Sequence, residues 1–225
     1  MSSSAAGPGD CAVAVAGESL VLMPERVAHW PRRDTLLVAD PHFGKAATFR
    51  AGGIPVPRGT TSDGLARLDA LLHRTAARRI VFLGDFLHAK EGRAPETLRA
   101  LATWRATHAN VEMVLVRGNH DRRAGDPPAD VGVACLDAPV VDSPFVFAHY
   151  PRPSHEGFVV GGHVHPSARL AGAGGLRARL PCFVIGPDVA VLPAFGDFTG
   201  LGDIEIGEGT RVVVVADDRL VDVTA

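Results

Sequence analysis

Five polar segments of the sequence carry carboxylates, amides or imidazoles directly after a short apolar run. They are DPH at 40–42, GDFLH at 84–88, GNHD at 118–121, the single His149, and GHVH at 162–165. A short continuous apolar run predicts a buried strand. In an open α/β sheet, groups beyond the carboxyl ends of the strands can converge although they are distant in sequence. These segments therefore predict one site rich in metal-ligand side chains, which favours an enzyme.

The donor atoms in these segments are carboxylate and amide oxygens and imidazole nitrogens. Such a mixture without thiolate suits Mn, Fe or Zn better than Ca. Two cations need a ligand that both share. Asp85 is the natural candidate, because a carboxylate has two oxygens and can join cations roughly 3.5 to 4 Å apart. Cys11, Cys135 and Cys182 lie inside apolar runs without metal-type spacing, so we interpret them as small buried hydrophobes.

Each segment taken alone has a simpler interpretation. DPH or GHVH can occur by chance in a chain with ten histidines. GNHD can be an ordinary turn, because Gly, Asn and Asp are favoured turn residues. Five such segments, each following an apolar run, are much harder to explain in this way, and we therefore prefer the interpretation as a site.

The first half of the chain alternates strands and helices. CAVAV and SLVLM around Gly17 predict a hairpin, and TLLVA, IVFLG and VEMVLV predict buried strands. Between these strands we expect a short helix over 43–51, a helix capped by Thr60, Thr61 or Ser62, and a helix from Pro95 to His108. Strands separated by helices imply parallel neighbours with right-handed crossovers.

After Pro127 the pattern changes to strands joined by short turns. These apolar segments are VGVACL, APVV, FVFA, FVVGG, RLPCFVI, VAVLP, RVVVV and RLVDV. They predict a second, largely antiparallel sheet. We therefore expect an α/β fold with two packed mixed β-sheets flanked by helices. Residues 1–10 are interpreted as a disordered tail and 11–225 as a single domain.

Composition narrows the classes of function. No run of about 18 apolar residues appears, so we expect no membrane span and, by default, a cytoplasmic location. The formal net charge of −2 argues mildly against a nucleic-acid partner, because strong binders of the phosphate backbone usually carry a basic face. Any attraction of phosphate must then be local.

The order of the five segments resembles that of the calcineurin-like metallophosphoesterases, whose pattern is DxH, GDxx, GNH(D/E), a single His and GHxH. The resemblance implies a four-layer sandwich and a site for two divalent metal ions. It implies these metal ligands: Asp40, His42 and His165 at the first ion, Asp85 as the bridge, and Asn119, His149 and His163 at the second. It also implies that His120 contacts the phosphate or protonates the leaving oxygen, with Asp121 orienting it.

A closer resemblance extends over nearly the whole chain. ADPHFGKAATFRAGGIPVPRGT, RLPCFV and VLPAFGDFTG are similar to segments of the bacterial PdeM-type DNA phosphoesterases that are associated with ligase and helicase repair clusters. This resemblance implies a manganese-dependent endonuclease for single-stranded DNA in DNA repair. Two alternatives stay open: a phosphoesterase for nucleotides or a pyrophosphate, which would need a closed pocket, and a non-catalytic scaffold, which intact Asn119 and His120 argue against.

Several further residues are weaker candidates. Arg50 could clamp a phosphate or be a solvated helix charge. His88 is a candidate substrate contact, and a supporting role in its loop is preferred over a role as a metal ligand. Arg122 and Arg123 follow the GNHD turn and could touch a polyanion or lie free on the surface. Phe195 and Phe198 could stack on bases or pack in the core.

Overall fold

A computed structural model describes residues 7–56, 59–171, 177–204 and 207–224 of the chain. Of the predicted N-terminal tail, residues 1–6 lie outside this description. Residues 7–10 form a turn in which the Gly7 N–H donates to the Asp10 carboxylate at 2.8 Å. The Asp10 side chain is nearly buried and lies 3.4 Å from the guanidinium of Arg74.

The first sheet has seven strands arranged in chain order. They are β1 (Cys11–Val15), β2 (Glu18–Met23), β3 (Val27–Trp30), β4 (Thr35–Val38), β5 (Arg79–Phe82), β6 (Glu112–Val116) and β7 (Ala134–Leu136). Strands β1 to β4 pair antiparallel, and β4 to β7 pair parallel. The predicted hairpin and the predicted parallel strands are confirmed.

Four α-helices connect or follow the parallel strands. They are α1 (Lys45–Ala51), α2 (Thr60–Thr75), α3 (Pro95–Thr107) and α4 (Asn119–Ala124), with short 3-10 helices at Pro31–Arg33, Lys90–Arg93 and Ala129–Val131. Helix α2 buries Leu65, Leu68 and Leu72, the face that its spacing predicts. No predicted side-chain cap forms at this helix, because Gly59 occupies the cap position and the Thr61 hydroxyl accepts the Gly44 N–H at 3.2 Å.

The second sheet contains eight strands. They are β8 (Val140–Asp142), β9 (Phe145–Phe147), β10 (Phe158–Gly161), β11 (Ser167–Ala171), β12 (Arg177–Ile185), β13 (Val189–Val191), β14 (Arg211–Ala216) and β15 (Arg219–Asp222). The spatial order is β15-β14-β12-β13-β10-β9-β8, with β11 beside β12. Strand β10 is parallel to both β9 and β13, and the other pairs are antiparallel. Both sheets are therefore mixed, as predicted.

Three apolar layers hold this arrangement together. One lies between the sheets, where Trp30 of β3 meets Phe145 of β9 edge-on at 4.8 Å between ring centroids. A second lies between the first sheet and the helices, with Leu68 of α2 and Phe82 of β5 at its centre. A third, smaller cluster around Val214 covers the outer face of the second sheet and includes side chains of β11. Burial of such side chains stabilises by about 1.5 to 3 kcal/mol each.

Two predicted elements differ from the structure. VGVACL forms β7, which pairs with β6 at the edge of the first sheet, rather than joining the second sheet. Periodicity predicts a strand but not its partner, which explains the error. GNHD is more than a turn, because α4 begins at Asn119. The described helices include none that is long and apolar enough to cross a membrane.

Candidate metal centre

The five polar segments meet where parallel strands of both sheets end. Asp40 follows β4, Asp85 follows β5 and Asn119 follows β6 in the first sheet, and His149 and His163 follow β9 and β10 in the second. Because these strands are parallel in each sheet, their carboxyl ends lie at the same edge. The predicted convergence is therefore present.

Asp40, His42 and His165 form the first group of candidate ligands. One donor atom from each lies within 4.8 Å of the others. The His165 Nδ1 lies 3.1 Å from the Gly200 carbonyl oxygen, which can only accept, so the proton belongs on Nδ1. The bare Nε2 then faces the Asp40 carboxylate at 3.7 Å. Two acceptors that face each other in this way are stabilised by a cation, or by a shared proton, between them.

Asp85, His149 and His163 form the second group, and Asn119 lies beside it. The His149 Nδ1 lies 3.0 Å from the Leu83 carbonyl oxygen, so its Nε2 is an acceptor. This Nε2 lies 3.0 Å from the Asn119 Oδ1, 3.0 Å from the His163 Nδ1 and 3.5 Å from the Asp85 Oδ1. Two oxygen acceptors, of Asn119 and Asp85, therefore lie within 3.5 Å of an acceptor nitrogen here.

Unpaired buried atoms show that a divalent cation fits the first group. The Asp40 Oδ1, the His42 Nε2 and the His165 Nε2 are buried without a hydrogen-bond partner. A buried polar atom is normally paired, since leaving it unpaired costs about 1 to 3 kcal/mol. Metal-bound histidines also typically donate their other ring N–H to a carbonyl, as His149 and His165 are placed to do. The donor set is therefore that of a metal centre.

The carboxylate of Asp85 lies between the two groups. Its Oδ1 is 3.5 Å from the His149 Nε2 of the second group, and its Oδ2 is 3.9 Å from the His42 Nε2 of the first. The backbone N–H of His120 also donates to Oδ1 at 2.9 Å. Each oxygen thus faces a different group, which is the arrangement that a bridging carboxylate requires.

In the absence of metal, burial in the site favours neutral imidazoles and disfavours the ionised form of its carboxylates. Burial, and then repulsion by Asp85, raise the pKa of Asp40 well above its ordinary value. Burial also raises the pKa of Asp85. Burial lowers the pKa of His42, His149 and His165, to about 4 for His165. Neutral imidazoles beside repelling carboxylates attract a cation.

The backbone of the site is held in an unusual conformation. Five predicted ligands adopt the left-handed region, with φ between 47° and 66°: Asp40, His42, Asp85, His163 and His165. This region is uncommon for residues other than glycine. Two glycines are required by close packing, because a Cβ at Gly118 would overlap the Asp85 carboxylate and one at Gly162 would overlap the Asp40 carboxylate.

His120 belongs to neither of these two groups, but one donor atom each from His42, His88 and His120 form a third group within 4.8 Å of one another. Its Nδ1 is 2.5 Å from the His88 carbonyl oxygen, and its Nε2 is 3.9 Å from the Asp85 Oδ2. The rings of His88 and His120 stack, with centroids 4.9 Å apart and planes inclined by 21°. The His88 Nδ1 also lies 3.4 Å from the His42 Nδ1. His88 therefore lies against the site and supports His120.

Asp121 forms hydrogen bonds that the sequence did not predict. Its buried carboxylate accepts the backbone N–H of Asp85 at 2.7 Å, of Phe86 at 2.9 Å and of Gly118 at 2.8 Å. The His120 ring is held by the His88 carbonyl instead. Asp121 thus ties the loop after β5 to the start of α4, which carries His120, and a direct role in orienting the His120 ring stays a prediction.

Arg50 lies at the end of α1 and donates to Glu96 of α3 at 2.7 Å. The two residues line a cavity of about 110 Å³ between these helices. This ion pair favours the interpretation of Arg50 as a helix-surface charge over that of a phosphate clamp.

Two residues near the site were missed by the sequence analysis. Lys45, the first residue of α1, is half-buried and is attracted by Asp85 and Asp40, while burial lowers its pKa. The Tyr150 hydroxyl donates to the Asn119 Oδ1 at 3.3 Å. The only sequence signal for either residue was its position close after a predicted ligand, His42 or His149.

Comparison with known proteins agrees with this site. The model of the calcineurin-like phosphoesterase family matches residues 34–165, so the chain belongs to that family and is a metal-dependent phosphoesterase. The crystal structure of Pseudomonas putida nuclease MPE is similar, with 43% sequence identity and a TM-score of 0.81, over 92% of this chain and 96% of that chain.

More distant solved structures are also similar. A protein of unknown function from Aquifex aeolicus shares 17% identity with a TM-score of 0.41, over 58% of this chain and 78% of that chain. The phosphoesterase Yfce from E. coli shares 16% identity with a TM-score of 0.37, over 83% and 90%. No curated protein sequence matches significantly.

Proposed function

We propose that this protein is a phosphodiesterase that uses two divalent metal ions, most favourably Mn, to cut single-stranded DNA internally. The observation that carries the proposal is the meeting of two ligand groups at Asp85, with His120 beside them, in a chain 43% identical to a nuclease. The proposed ligands are Asp40, His42, Asp85, Asn119, His149, His163 and His165. Their mixture of oxygen and nitrogen donors suits Mn, with Fe or Zn as alternatives.

Bound divalent cations would supply charge neutralisation at the phosphate and a nucleophilic water near neutral pH. The chain itself supplies the geometry around the phosphate. The Asp121 carboxylate fixes the backbone at Asp85, and the Leu83 and Gly200 carbonyls fix the ring orientations of His149 and His165. Such fixed donors avoid reorganisation during the reaction.

His120 is proposed to handle the proton of the leaving oxygen. Its Nδ1–H points to the His88 carbonyl at 2.5 Å, which leaves Nε2 facing the site. When the ring is protonated, Nε2–H can stabilise the phosphate and then pass its proton to the departing sugar oxygen as the P–O bond breaks. Stacking on His88 at 4.9 Å keeps the ring in this orientation.

The shape of the surface at the site supports a polymer as substrate. A cavity that His42 lines has a volume of about 10 Å³, and one that His165 lines has about 190 Å³. A pocket that encloses a small molecule typically needs about 300 to 1,000 Å³. Neither of these two cavities is therefore large enough to enclose a nucleotide, which favours a phosphate in the middle of a chain as the substrate.

The biological setting follows from the resemblance to PdeM-type enzymes. It supports a role in DNA repair, in functional association with a DNA ligase and a helicase, and hence in the cytoplasm. A purified complex with either partner would test the association.

The experiment that tests the activity uses circular single-stranded DNA, because a circle has no ends. With Mn the protein should nick the circle, and EDTA should abolish the nicking. Hydrolysis confined to free nucleotides would favour the small-molecule phosphoesterase. A metal-loaded protein that hydrolyses neither substrate would be a scaffold. Binding should also weaken steeply as salt rises.

A further inference from the structure

Two aromatic side chains of this protein are largely exposed, and both lie at the candidate metal centre. The chain has two tryptophans, one tyrosine and ten phenylalanines, all within the described ranges. Tyr150 is 45% exposed and Phe198 is 49% exposed, whereas Phe195 is 1% exposed. The remaining rings are buried or half-buried. The structure thus separates Phe195, a core residue, from Phe198, whose ring is open to a ligand.

Tyr150 lies against the second ligand group. Its ring is 4.5 Å from the His163 ring and 5.0 Å from the His149 ring, centroid to centroid, and both contacts are edge-on. Its hydroxyl donates to the Asn119 Oδ1. These contacts fix the orientation of the ring while nearly half of it stays accessible. A fixed, exposed ring loses little entropy when a planar group stacks on it.

Phe198 lies at the first ligand group. It lines the cavity of about 190 Å³ together with His165. Its loop is tied to the ligand segments, because the Gly196 N–H donates to the Asp40 carbonyl at 3.1 Å and the His165 Nδ1 lies 3.1 Å from the Gly200 carbonyl. Phe198 has a φ of 58°. Such strain in a bulky residue concentrates at binding sites, where it aims a side chain.

Cations without acidic partners occur close to the same ligands in sequence. Arg122 and Arg123 lie in α4, two and three residues after His120, and Arg152 lies two residues after Tyr150; all three are exposed. None has an ion pair among the described residues, whereas Arg117 contacts Asp126 at 2.7 Å. A nucleic-acid backbone would supply the missing negative charges.

We propose that Tyr150 and Phe198 are base-stacking residues that flank the scissile phosphate, so that the site selects an unpaired polynucleotide. This proposal rests on the proposed nuclease function and specifies how the substrate is held. Only unpaired bases offer their faces to such rings, and every base has a face to offer. The site is therefore selective for single strands and tolerant of sequence.

The test compares two substrates of equal length and charge. One is an oligothymidylate, and the other carries abasic tetrahydrofuran residues in place of the thymidines. For the wild-type protein with Mn, the KM of the abasic oligomer should exceed that of the oligothymidylate. Each stacked base contributes roughly 5- to 150-fold to affinity. Tyr150→Leu and Phe198→Leu should each lower this KM ratio, and the double variant should bring it near one.

Matched variants separate stacking from other effects. Tyr150→Phe keeps the ring but loses the hydroxyl bond to Asn119, and it should keep the wild-type ratio. Val141→Ala removes a side chain that is equally exposed, at 49%, in β8, and it should also keep the ratio. A wild-type ratio in both leucine variants would overturn the proposal while the nuclease function stands. No cleavage of oligothymidylate by the wild type would overturn both.

A second measurement does not depend on turnover. Metal-free protein in EDTA is irradiated with an oligomer containing 5-iodouracil, which couples to rings stacked on it. Peptide mapping should locate the crosslinks at Tyr150 and Phe198. Each leucine variant should lose the crosslink at its substituted position. Crosslinks confined to other residues would contradict base stacking at these two rings.

Discussion

The backbone N–H of Asp85 donates to the carboxylate of Asp121 at 2.7 Å, although 36 residues separate them. The same carboxylate accepts the N–H of Gly118 at 2.8 Å. One buried side chain therefore holds together the loop that carries the proposed bridging ligand and the turn that carries Asn119 and His120. The site is assembled by this link as well as by the strand ends.

Asp121→Ala should destabilise the protein and weaken metal binding together. The substitution leaves the N–H groups of Asp85, Phe86 and Gly118 without an acceptor, which costs on the order of 3 kcal/mol in total. Urea unfolding in EDTA and metal analysis after dialysis measure the two effects. Asp126→Asn is the matched control, because its ion pair with Arg117 is on the surface and is worth roughly 0 to 1 kcal/mol. Unchanged stability in Asp121→Ala would refute the proposed link.

His120→Ala should lower turnover about 10²- to 10⁴-fold, the usual contribution of a positioned acid. Metal content should stay near that of the wild type, because His120 is not among the seven proposed ligands and its Nδ1 already faces the His88 carbonyl oxygen. Steady-state kinetics and metal analysis of the same preparation provide both values. His155→Ala, in an exposed loop, should retain wild-type turnover. An equal loss of metal and turnover in His120→Ala would assign the ring to metal binding instead.

Asp85→Asn should lose both metal ions, whereas His165→Ala should keep one. An amide has a single oxygen acceptor and no charge, so it cannot bridge, while His165 belongs to the first group alone. Equilibrium dialysis with Mn followed by elemental analysis gives the number of ions per chain. If Asp85→Asn still bound two ions, Asp85 would not be the shared ligand.

Asp40→Asn should stabilise the metal-free protein but remove the gain in stability from Mn. Burial and repulsion by Asp85 raise the pKa of Asp40, so at neutral pH its charge opposes folding in the absence of metal. For the wild type, Mn at 100 times its Kd should add about 2.7 kcal/mol. Thermal unfolding in EDTA and in Mn measures both expected changes in stability. A variant that is less stable than the wild type in EDTA would contradict the repulsion.

Acidification should destabilise the metal-free wild type more than His88→Gln. Burial lowers the pKa of His88 to about 4 from an ordinary value of 6.5. The unfolded state therefore takes up a proton between pH 6.5 and 4 that the folded state does not, and stability falls as the pH falls through this window. Between pH 7 and pH 5 the wild type should lose about 1 kcal/mol more of its free energy of unfolding than His88→Gln, after allowance for solvent screening. Urea unfolding at pH 7 and pH 5 measures it, and parallel losses in both proteins would exclude His88.

The sequence predicted the fold where local patterns were sufficient. The hairpin of β1 and β2, the parallel run from β4 to β6 and the apolar face of α2 all follow from periodicity and turn residues. The pairing of β7 with β6 and the presence of strand β3 do not follow from such patterns. Pairing of β7 depends on contacts that are distant in sequence, and His29 interrupts the apolar run of β3, although it is buried there.

The candidate site was predictable to a similar degree. The donor residues were visible because each follows an apolar run, and the structure brings them together. Their supporting contacts were not visible. The hydrogen bonds of Asp121, the stacking of His88 on His120 and the position of Tyr150 depend on side-chain orientations across several loops, and no spacing in the chain encodes them.

The left-handed backbone at Asp40, His42, Asp85, His163 and His165 affects how such a chain can evolve. An L-residue in this conformation is disfavoured by roughly 1 to 2 kcal/mol, whereas glycine adopts it freely. A lineage no longer under selection for catalysis would thus accumulate glycine at these positions. Its fold would become more stable as its catalytic activity was lost. Among relatives of this fold, glycine at several of these five positions would indicate a protein that has lost its catalytic activity.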